Sequence, residues 1–197
     1  MTTLEQVGAE ASQCTKCGLC ETRTQVVFGM GHPKADLMVV GEAPGRNEDE
    51  QGKPFVGASG FLLDQLIKEE VGMGRSEFYI ANAVKCRPPN NRDPKPDEVD
   101  ACRDWLHQQV QLVDPKVILT VGNFASRTLL GTKLGVTRLR ESVHEFDGRQ
   151  LIVTFHPAAA LRARNTVMKE MRRDLVEVRK LIRKIKQQES SLFGGAK

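Results

Sequence analysis

The sequence lacks any apolar run long enough to cross a membrane, and it has few aromatic residues. A membrane-spanning helix needs about 18 consecutive apolar residues, and the 197-residue chain has no such stretch. The N-terminal stretch MTTLEQVGAEASQC has neither a basic segment nor an apolar core, so we expect no secretory signal and a cytoplasmic location. Aromatic residues make up 5% of the chain, but hydrophobic residues make up 40%, which excludes disordered and collagen-like classes.

Length and charge limit the organisation and the partners of the chain. We expect residues 1–189 to form a single domain with an N-terminal cysteine arm, and residues 190–197 to form a flexible tail. We also expect a monomer with no membrane partner. The formal net charge is +4 and the pI is near 8.9, with basic residues in excess between residues 162 and 197. Such a basic end suits a polyanionic partner or a solvated helix face, and charge alone does not separate the two.

The five cysteines are an odd number, which argues against a disulfide framework. Cys14 and Cys17 form a Cys-x-x-Cys pair, and Cys86 and Cys102 lie after a predicted strand and in the helix that follows it. Four thiolates from these positions suit zinc or an iron–sulfur cluster, and the spacing leaves both open. Cys20 is a competing ligand, because it follows Cys17 at the same spacing. A site with four protein ligands would be structural.

Four short apolar runs predict buried strands over residues 36–40, 77–81, 116–121 and 150–155. Near-continuous apolar runs are typical of strands that are covered on both faces of a parallel sheet.

Helical patterns lie between and after these strands. They cover residues 60–71, 97–110, 123–130 and about 166–188. The alternation predicts an α/β fold, a three-layer α/β/α structure around a mainly parallel four-stranded sheet.

Polar residues directly follow three of the predicted strands. Glu42 lies in the tight turn 41–45, Asn82 follows the second strand, and His156 follows the fourth. Taken singly, each residue is better explained by a structural role: Glu42 as a helix cap, Asn82 as a turn residue and His156 as a loop histidine. Because ligands of such sheets bind at the carboxyl ends of the strands, the three together predict a binding site there.

Phe55 lies between glycines in the stretch Gln51-Gly-Lys-Pro-Phe-Val-Gly57. An aromatic ring on such a turn is a candidate stacking surface for a planar ligand. The alternative is a phenylalanine that packs in the core, which is the commoner case for an isolated phenylalanine.

Five ordered blocks carry a resemblance to a known family: GEAPGRNEDEQGKPFVG, NAVKCRPPNNRDPKP, VGNFASRTLLG, TRLR and HPAAALR. Together they resemble family 4 uracil-DNA glycosylase, the iron–sulfur type of the superfamily. The resemblance covers nearly the whole chain. It implies a three-layer α/β/α fold, a structural [4Fe-4S] cluster, and hydrolysis of the N-glycosidic bond of uracil in single- or double-stranded DNA during base excision repair.

The resemblance also assigns roles to individual residues. It implies cluster ligation by Cys14, Cys17, Cys86 and Cys102, and leaves Cys20 as a spare thiol. Uracil would contact Gly41, Glu42, Ala43, Phe55, Asn82 and His156. Among these, Glu42, Asn82 and His156 are the candidate catalytic residues. Related enzymes have an aspartate where this chain has Ala43, so the group that activates water is left open, with Glu42 as a candidate.

A glycosylase must swing its target nucleotide out of the duplex, so we expect residues that hold the phosphates and one that fills the vacated stack. The candidates for phosphate contact are basic residues near the strand ends: Lys85, Arg87, Arg92, Arg162 and Arg164. Leu161 is the candidate wedge. For each basic residue the alternative is a solvated surface charge.

Two alternative functions and one protein partner are compatible with parts of the sequence. A related branch traps uracil-DNA covalently through a histidine in a basic loop, but the corresponding loop 87–96 has no histidine. A non-catalytic, metal-stapled nucleic-acid binding module is the second alternative. The tail residues Ser191, Leu192 and Phe193 resemble part of a sliding-clamp ligand, whereas a fragment of the last helix that folds back on the core would have the same composition.

Overall fold

The computed structural model describes residues 2–193. Its strands, in chain order, are β1 (Met30–Gly31), β2 (Leu37–Gly41), β3 (Tyr79–Asn82), β4 (Val117–Val121), β5 (His144–Phe146) and β6 (Arg149–Thr154). Its α-helices are α1 (Leu4–Ser12), α2 (Arg46–Gln51), α3 (Ala58–Glu70), α4 (Pro96–Val113), α5 (Asn123–Leu130), α6 (Val136–Leu139), α7 (Pro157–Arg162) and α8 (Arg164–Phe193). Short 3-10 helices span Gly18–Glu21 and Pro89–Asn91.

The strands form one sheet in the order β1-β3-β2-β4-β6-β5. The four central strands are parallel to one another, and they are the four that the apolar runs predict. The edge strands β1 and β5 pair antiparallel and extend the predicted four-stranded sheet to six strands. The predicted α/β class and the mainly parallel sheet are confirmed.

Alternate residues of each strand point to opposite faces of the sheet. Because these residues are apolar on both faces, helices cover both faces. On one face, Val39 and Leu119 pack with α3 and with Leu175 of α8. On the other face, Met38 and Ile118 pack with α4, α5 and α6. These two apolar layers with the sheet between them form the predicted three-layer structure.

The longest helix, α8, packs through one apolar stripe. Met171, Leu175, Val178 and Ile182 recur at three- or four-residue spacing, and all four are buried. The helix continues to Phe193, so residues 190–193 of the predicted tail are helical. Residues 194–197 lie outside the described residues, as do the side chains of Leu192 and Phe193, so clamp binding stays a prediction. None of the helices within residues 2–193 is long and apolar enough to cross a membrane.

The N-terminal arm forms a third apolar cluster beside the sheet. Val7 and Ala11 of α1 are buried against Trp105 of α4 and Val84, which follows β3. Thr3 caps α1 through a reciprocal pair of hydrogen bonds with Gln6. The arm therefore packs against the segment after β3, which also holds Cys86.

Candidate active site and cysteine pocket

An open cleft of about 1380 Å³ lies where the central parallel strands end. Its lining includes Glu42 after β2, Asn82 at the end of β3, Gly122 after β4 and His156 after β6, and also Phe55. The structure therefore brings together four side chains that the sequence places far apart. This is the position at which an open α/β sheet binds its ligands.

The Phe55 ring is held in the cleft by a strained and well-anchored loop. Phe55 has a φ of 55°, a left-handed conformation that is uncommon for an aromatic residue. The Glu48 carboxylate accepts hydrogen bonds from the backbone N–H groups of Val56 and Gly57, at 3.0 and 3.1 Å. Arg75 donates to the carbonyl of Pro54. Phe55 belongs to the apolar core and also lines the cleft, so it combines the two roles that the sequence left open.

The side chains of Asn82 and Phe55 both lie close to Gly41. A Cβ atom on Gly41 would lie 2.5 Å from both the Oδ1 atom of Asn82 and the ring of Phe55, so both side chains would have to shift to admit it. Asn82 is only 2% exposed, yet its side-chain amide makes no hydrogen bond to any residue within the described part of the chain. The amide therefore has both a donor and an acceptor available for a ligand in the cleft.

His156 caps α7 with one ring nitrogen. The backbone N–H of Ala158 donates to Nδ1 of His156 at 3.2 Å, so Nδ1 is the acceptor and Nε2 carries the proton. Burial, followed by the positive charge of Arg162, lowers the pKa of His156, so the ring is neutral at pH 7. The rings of His156 and Phe55 lie 6.1 Å apart between centroids, at an interplanar angle of 30°.

Glu42 is one of the titratable carboxyl groups that line the cleft, with those of Glu48 and Asp93. Burial, with a smaller contribution from the nearby negative charge of Asp93, raises the pKa of Glu42 to about 7. A carboxyl group with a pKa near neutrality is poised to exchange a proton at physiological pH.

The predicted DNA-contacting residues fall into different environments. Arg162 is exposed and lines the cleft at the end of α7, and Leu161 beside it is 43% exposed. Arg92 also lines the cleft, but its guanidinium forms a bidentate pair with Glu98, at 2.6 and 2.8 Å. Arg87 is half-buried, and its Nε atom donates to Asn91. The side chain of Arg164 lies outside the described atoms. The DNA roles of these residues stay predictions.

Lys85 is a correction to the predicted phosphate contacts. The residue is 1% exposed, and it lies under the surface because its ammonium donates to the carbonyl of Asn82 and to the side chain of Gln109. Burial lowers the pKa of Lys85 to about 8. A phosphate outside the protein cannot reach this ammonium.

The four cysteines predicted as ligands line one pocket between the N-terminal arm and α4. Cys14 and Cys17 are half-buried, Cys86 and Cys102 are buried, and Cys20 does not line this pocket. Burial raises the pKa of the Cys86 thiol to about 11. Across residues 2–193, no three His, Cys, Asp or Glu side chains are arranged to hold a metal ion.

Hydrogen-bond donors face three of these four sulfur atoms. Trp105 Nε1 donates to Cys14 at 3.4 Å, and a guanidinium nitrogen of Arg23 donates to Cys86 at 3.4 Å. The backbone N–H of Lys85 donates to Cys102 at 3.2 Å. Donors to sulfur stabilise thiolates, so the pocket suits deprotonated cysteine ligands.

Several cleft residues are not predicted individually from the sequence. Glu48 anchors the Phe55 loop, Asn123 accepts a hydrogen bond from the backbone of Val136, and Arg127 lines the cleft as an exposed cation. Asn123 and Arg127 lie in the block VGNFASRTLLG, so the glycine after a buried strand was the signal available for them.

The comparisons with known proteins agree with this geometry. The sequence model of the uracil DNA glycosylase superfamily matches residues 28–178. The chain belongs to this superfamily, which confirms the resemblance drawn from the five sequence blocks.

Curated relatives cover most of the chain and carry the same description. A type-4 uracil-DNA glycosylase of Sulfurisphaera tokodaii is 44% identical over 92% of this chain and 86% of the relative. Type-4 uracil-DNA glycosylases of Archaeoglobus fulgidus and Thermotoga maritima are each 41% identical. They cover 82% and 88% of this chain, and 84% and 90% of their own lengths.

Proposed function

We propose that this protein is a uracil-DNA glycosylase that takes uracil out of DNA and hydrolyses its N-glycosidic bond. The product is an abasic site that starts base excision repair. The observation that carries the proposal is the convergence of Glu42, Phe55, Asn82 and His156 on one cleft at the strand ends. The type-4 relatives, which match over most of their lengths, support the same activity.

Base recognition follows from the aromatic ring and the buried amide. Phe55 stacks on the face of the extruded base, while Asn82 accepts from N3–H of uracil and donates to O4. Cytosine presents the opposite pattern at these two positions, so it would leave buried polar groups unpaired and be rejected strongly. Thymine differs by a methyl group, and its exclusion must be steric, by residues of the turn 41–45.

Bond cleavage leaves negative charge on uracil, chiefly at O2. The neutral His156 ring has its proton on Nε2 because Nδ1 is occupied by the Ala158 N–H, so Nε2 donates to that developing charge. One such preorganised donor stabilises a transition state by about 3–4 kcal/mol.

The water that attacks the sugar needs a proton acceptor. Ala43 provides none, and Glu42 is the candidate because it precedes Ala43 in the cleft and has a pKa near neutrality. With a pKa of about 7, the Glu42 carboxylate orients the water and takes its proton.

Residues at the rim of the cleft contact the DNA phosphates and fill the space that the extruded nucleotide leaves in the duplex. Arg162 is positioned for phosphate contact at the end of α7, and exposed Leu161 fills the space left by the extruded nucleotide. Arg127 is a further exposed cation at the same rim. Arg92 is a weaker candidate because Glu98 already neutralises its charge.

The four cysteines of the pocket fit a [4Fe-4S] cluster, with Cys14, Cys17, Cys86 and Cys102 as ligands. A cluster binds one thiolate at each iron, whereas a zinc ion requires four thiolates at about 2.3 Å from one centre. Four thiols that line one pocket supply the four thiolates that such a cluster requires, and the resemblance to family 4 favours the cluster over zinc. The cluster would act as a structural staple between the N-terminal arm and α4.

One assay tests this function against its alternatives. An oligonucleotide with a single deoxyuridine is incubated with the protein and then treated with alkali. A glycosylase gives strand breaks at that position, a non-catalytic binding module gives a shifted band without breaks, and a covalent trap gives an adduct that resists denaturant. We expect breaks with uracil, and none with cytosine or thymine at the same position.

A further inference from the structure

The buried ammonium of Lys85 lies between the cleft and the cysteine pocket. Lys85 lines the pocket and not the cleft, and it is three residues along the chain from Asn82. Its side chain turns back so that Nζ donates to the carbonyl of Asn82 at 2.6 Å. Its own backbone N–H donates to the sulfur of Cys102 at 3.2 Å. One residue therefore contacts both a proposed base-reading residue and a proposed cluster ligand.

Gln109 also holds the Lys85 ammonium, and Gln109 is itself fixed by further hydrogen bonds. Gln109 accepts from Lys85 Nζ through Oε1, while its Nε2 donates to the hydroxyl of Tyr79 at 3.0 Å and to the carbonyl of Phe28 at 2.7 Å. Gln109 is fully buried and Tyr79 is 4% exposed. The ammonium thus has a defined position and little freedom to move.

A buried ammonium is unfavourable unless negative charge and acceptors offset its lost hydration. The acceptors that offset this cost for Lys85 are the carbonyl of Asn82 and the side-chain Oε1 atom of Gln109. The ammonium stays hydrogen-bonded only while both acceptors keep their positions, so it fixes the Asn82 carbonyl in turn.

Residues 83–85, which follow β3, are hydrogen-bonded to neighbouring segments on both sides. A displacement of Lys85 would therefore also displace Asn82. Ala83 and Val84 donate their backbone N–H groups to the carbonyls of Gly41 and Glu42, at 2.8 and 3.0 Å. Val27 of the N-terminal arm donates to the carbonyl of Lys85 at 2.8 Å. The only direct contact of a side chain with the Asn82 carbonyl in the described hydrogen bonds is the Lys85 ammonium.

We propose that Lys85 is a positioning residue that holds Asn82 in its base-reading orientation and is itself held by Gln109. The inference rests on the proposed function, since it concerns the residue that reads uracil. It gives a buried lysine that lines the cysteine pocket an effect on the cleft. It also explains why a lysine is buried where no DNA phosphate can reach it.

The test compares Lys85→Met, which keeps the length of the side chain, with Lys68→Met at an exposed lysine of α3 as the matched control. Single-turnover uracil release and DNA dissociation constants are measured for both variants and for the unaltered protein. Loss of a charged hydrogen bond is expected to lower the rate of Lys85→Met by about tenfold or more, with DNA affinity changed by less than about threefold. Lys68→Met should match the unaltered protein.

A double-mutant cycle separates positioning from general destabilisation. If Lys85 acts through Asn82, adding Lys85→Met to Asn82→Ala lowers the rate no further. Iron content and visible absorbance are recorded for each protein, so that a rate lost with the cluster is separated from a rate lost with the position of Asn82. If Lys85→Met does not fold, Gln109→Met removes the second anchor of the ammonium and should shift the rate in the same direction.

Different results would contradict the positioning role of Lys85 and the proposed function of the protein. Unaltered rates in Lys85→Met, or a loss that multiplies fully with that of Asn82→Ala, would overturn the positioning role. If Gln109→Met is the variant that is measured, an unchanged rate has the same meaning. Failure of the unaltered protein to release uracil would instead overturn the proposed function.

Discussion

The pKa of Glu42 makes the proposed water activation testable through the pH profile. Burial and Asp93 raise this pKa to about 7, and the ionised carboxylate is the form that accepts a proton. At one pH unit below the pKa about one tenth of the group is ionised, so kcat/KM at pH 6 should be about tenfold below its plateau. Burial lowers the pKa of His156 from 6.5, so an acid limb due to His156 would lie at lower pH than one due to Glu42.

The assay measures kcat/KM for uracil release between pH 5 and pH 9 at constant ionic strength. Glu42→Gln keeps the shape of the side chain but does not titrate, so it should lower the plateau by about 100-fold or more and flatten the acid limb. A limb that persists unchanged in Glu42→Gln would refute the reasoning. If the same limb then disappears in His156→Ala, the titrating group would be His156.

Three further predictions follow from the same contacts. Gly41→Ala is expected to abolish uracil release in a folded protein, because the new Cβ would lie 2.5 Å from both Asn82 and Phe55; circular dichroism provides the check on folding. Cys102→Ser should lose the iron and the visible absorbance of the purified protein, whereas Cys20→Ser should retain both; equal loss in the two variants would contradict the ligand set. The pKa of Glu42 is raised in the folded state, so the stabilisation from its protonated form is present below about pH 4.5 and is lost as the pH rises through about 7. In thermal unfolding, Glu42→Gln should therefore have a higher melting temperature than the unaltered protein at pH 8. At pH 4 the two melting temperatures should be equal.

The four central strands could be predicted because each is a continuous apolar run. The antiparallel edges could not, since β1 has two residues and His144–Phe146 has a polar, exposed middle. Helix α2 was also missed, because Arg46–Gln51 has no apolar residue and its end is set by Gly52 in a left-handed conformation. Such elements depend on neighbours distant in sequence and have no periodic pattern of their own.

The candidate site was predictable where a general rule of the fold applies, and not elsewhere. Glu42, Asn82 and His156 follow parallel strands, so topology alone brings them to one edge. The burial of Lys85 had no such signal, because a lysine next to a cysteine reads equally well as a surface charge. The pairing of Arg92 with Glu98 was likewise hidden, since it depends on the path of the loop before α4.

The central claim is that Asn82 and His156 act on an extruded uracil in this cleft, and single-turnover kinetics test it most directly. Uracil release and the dissociation constant of one deoxyuridine oligonucleotide are measured for the unaltered protein, Asn82→Ala and His156→Ala. We expect both variants to release uracil at least about 100-fold more slowly, since one preorganised donor is worth 10²–10³ in rate, while binding the DNA within a few-fold of the unaltered protein. Release at the unaltered rate by both variants would contradict the assignment of this cleft as the active site.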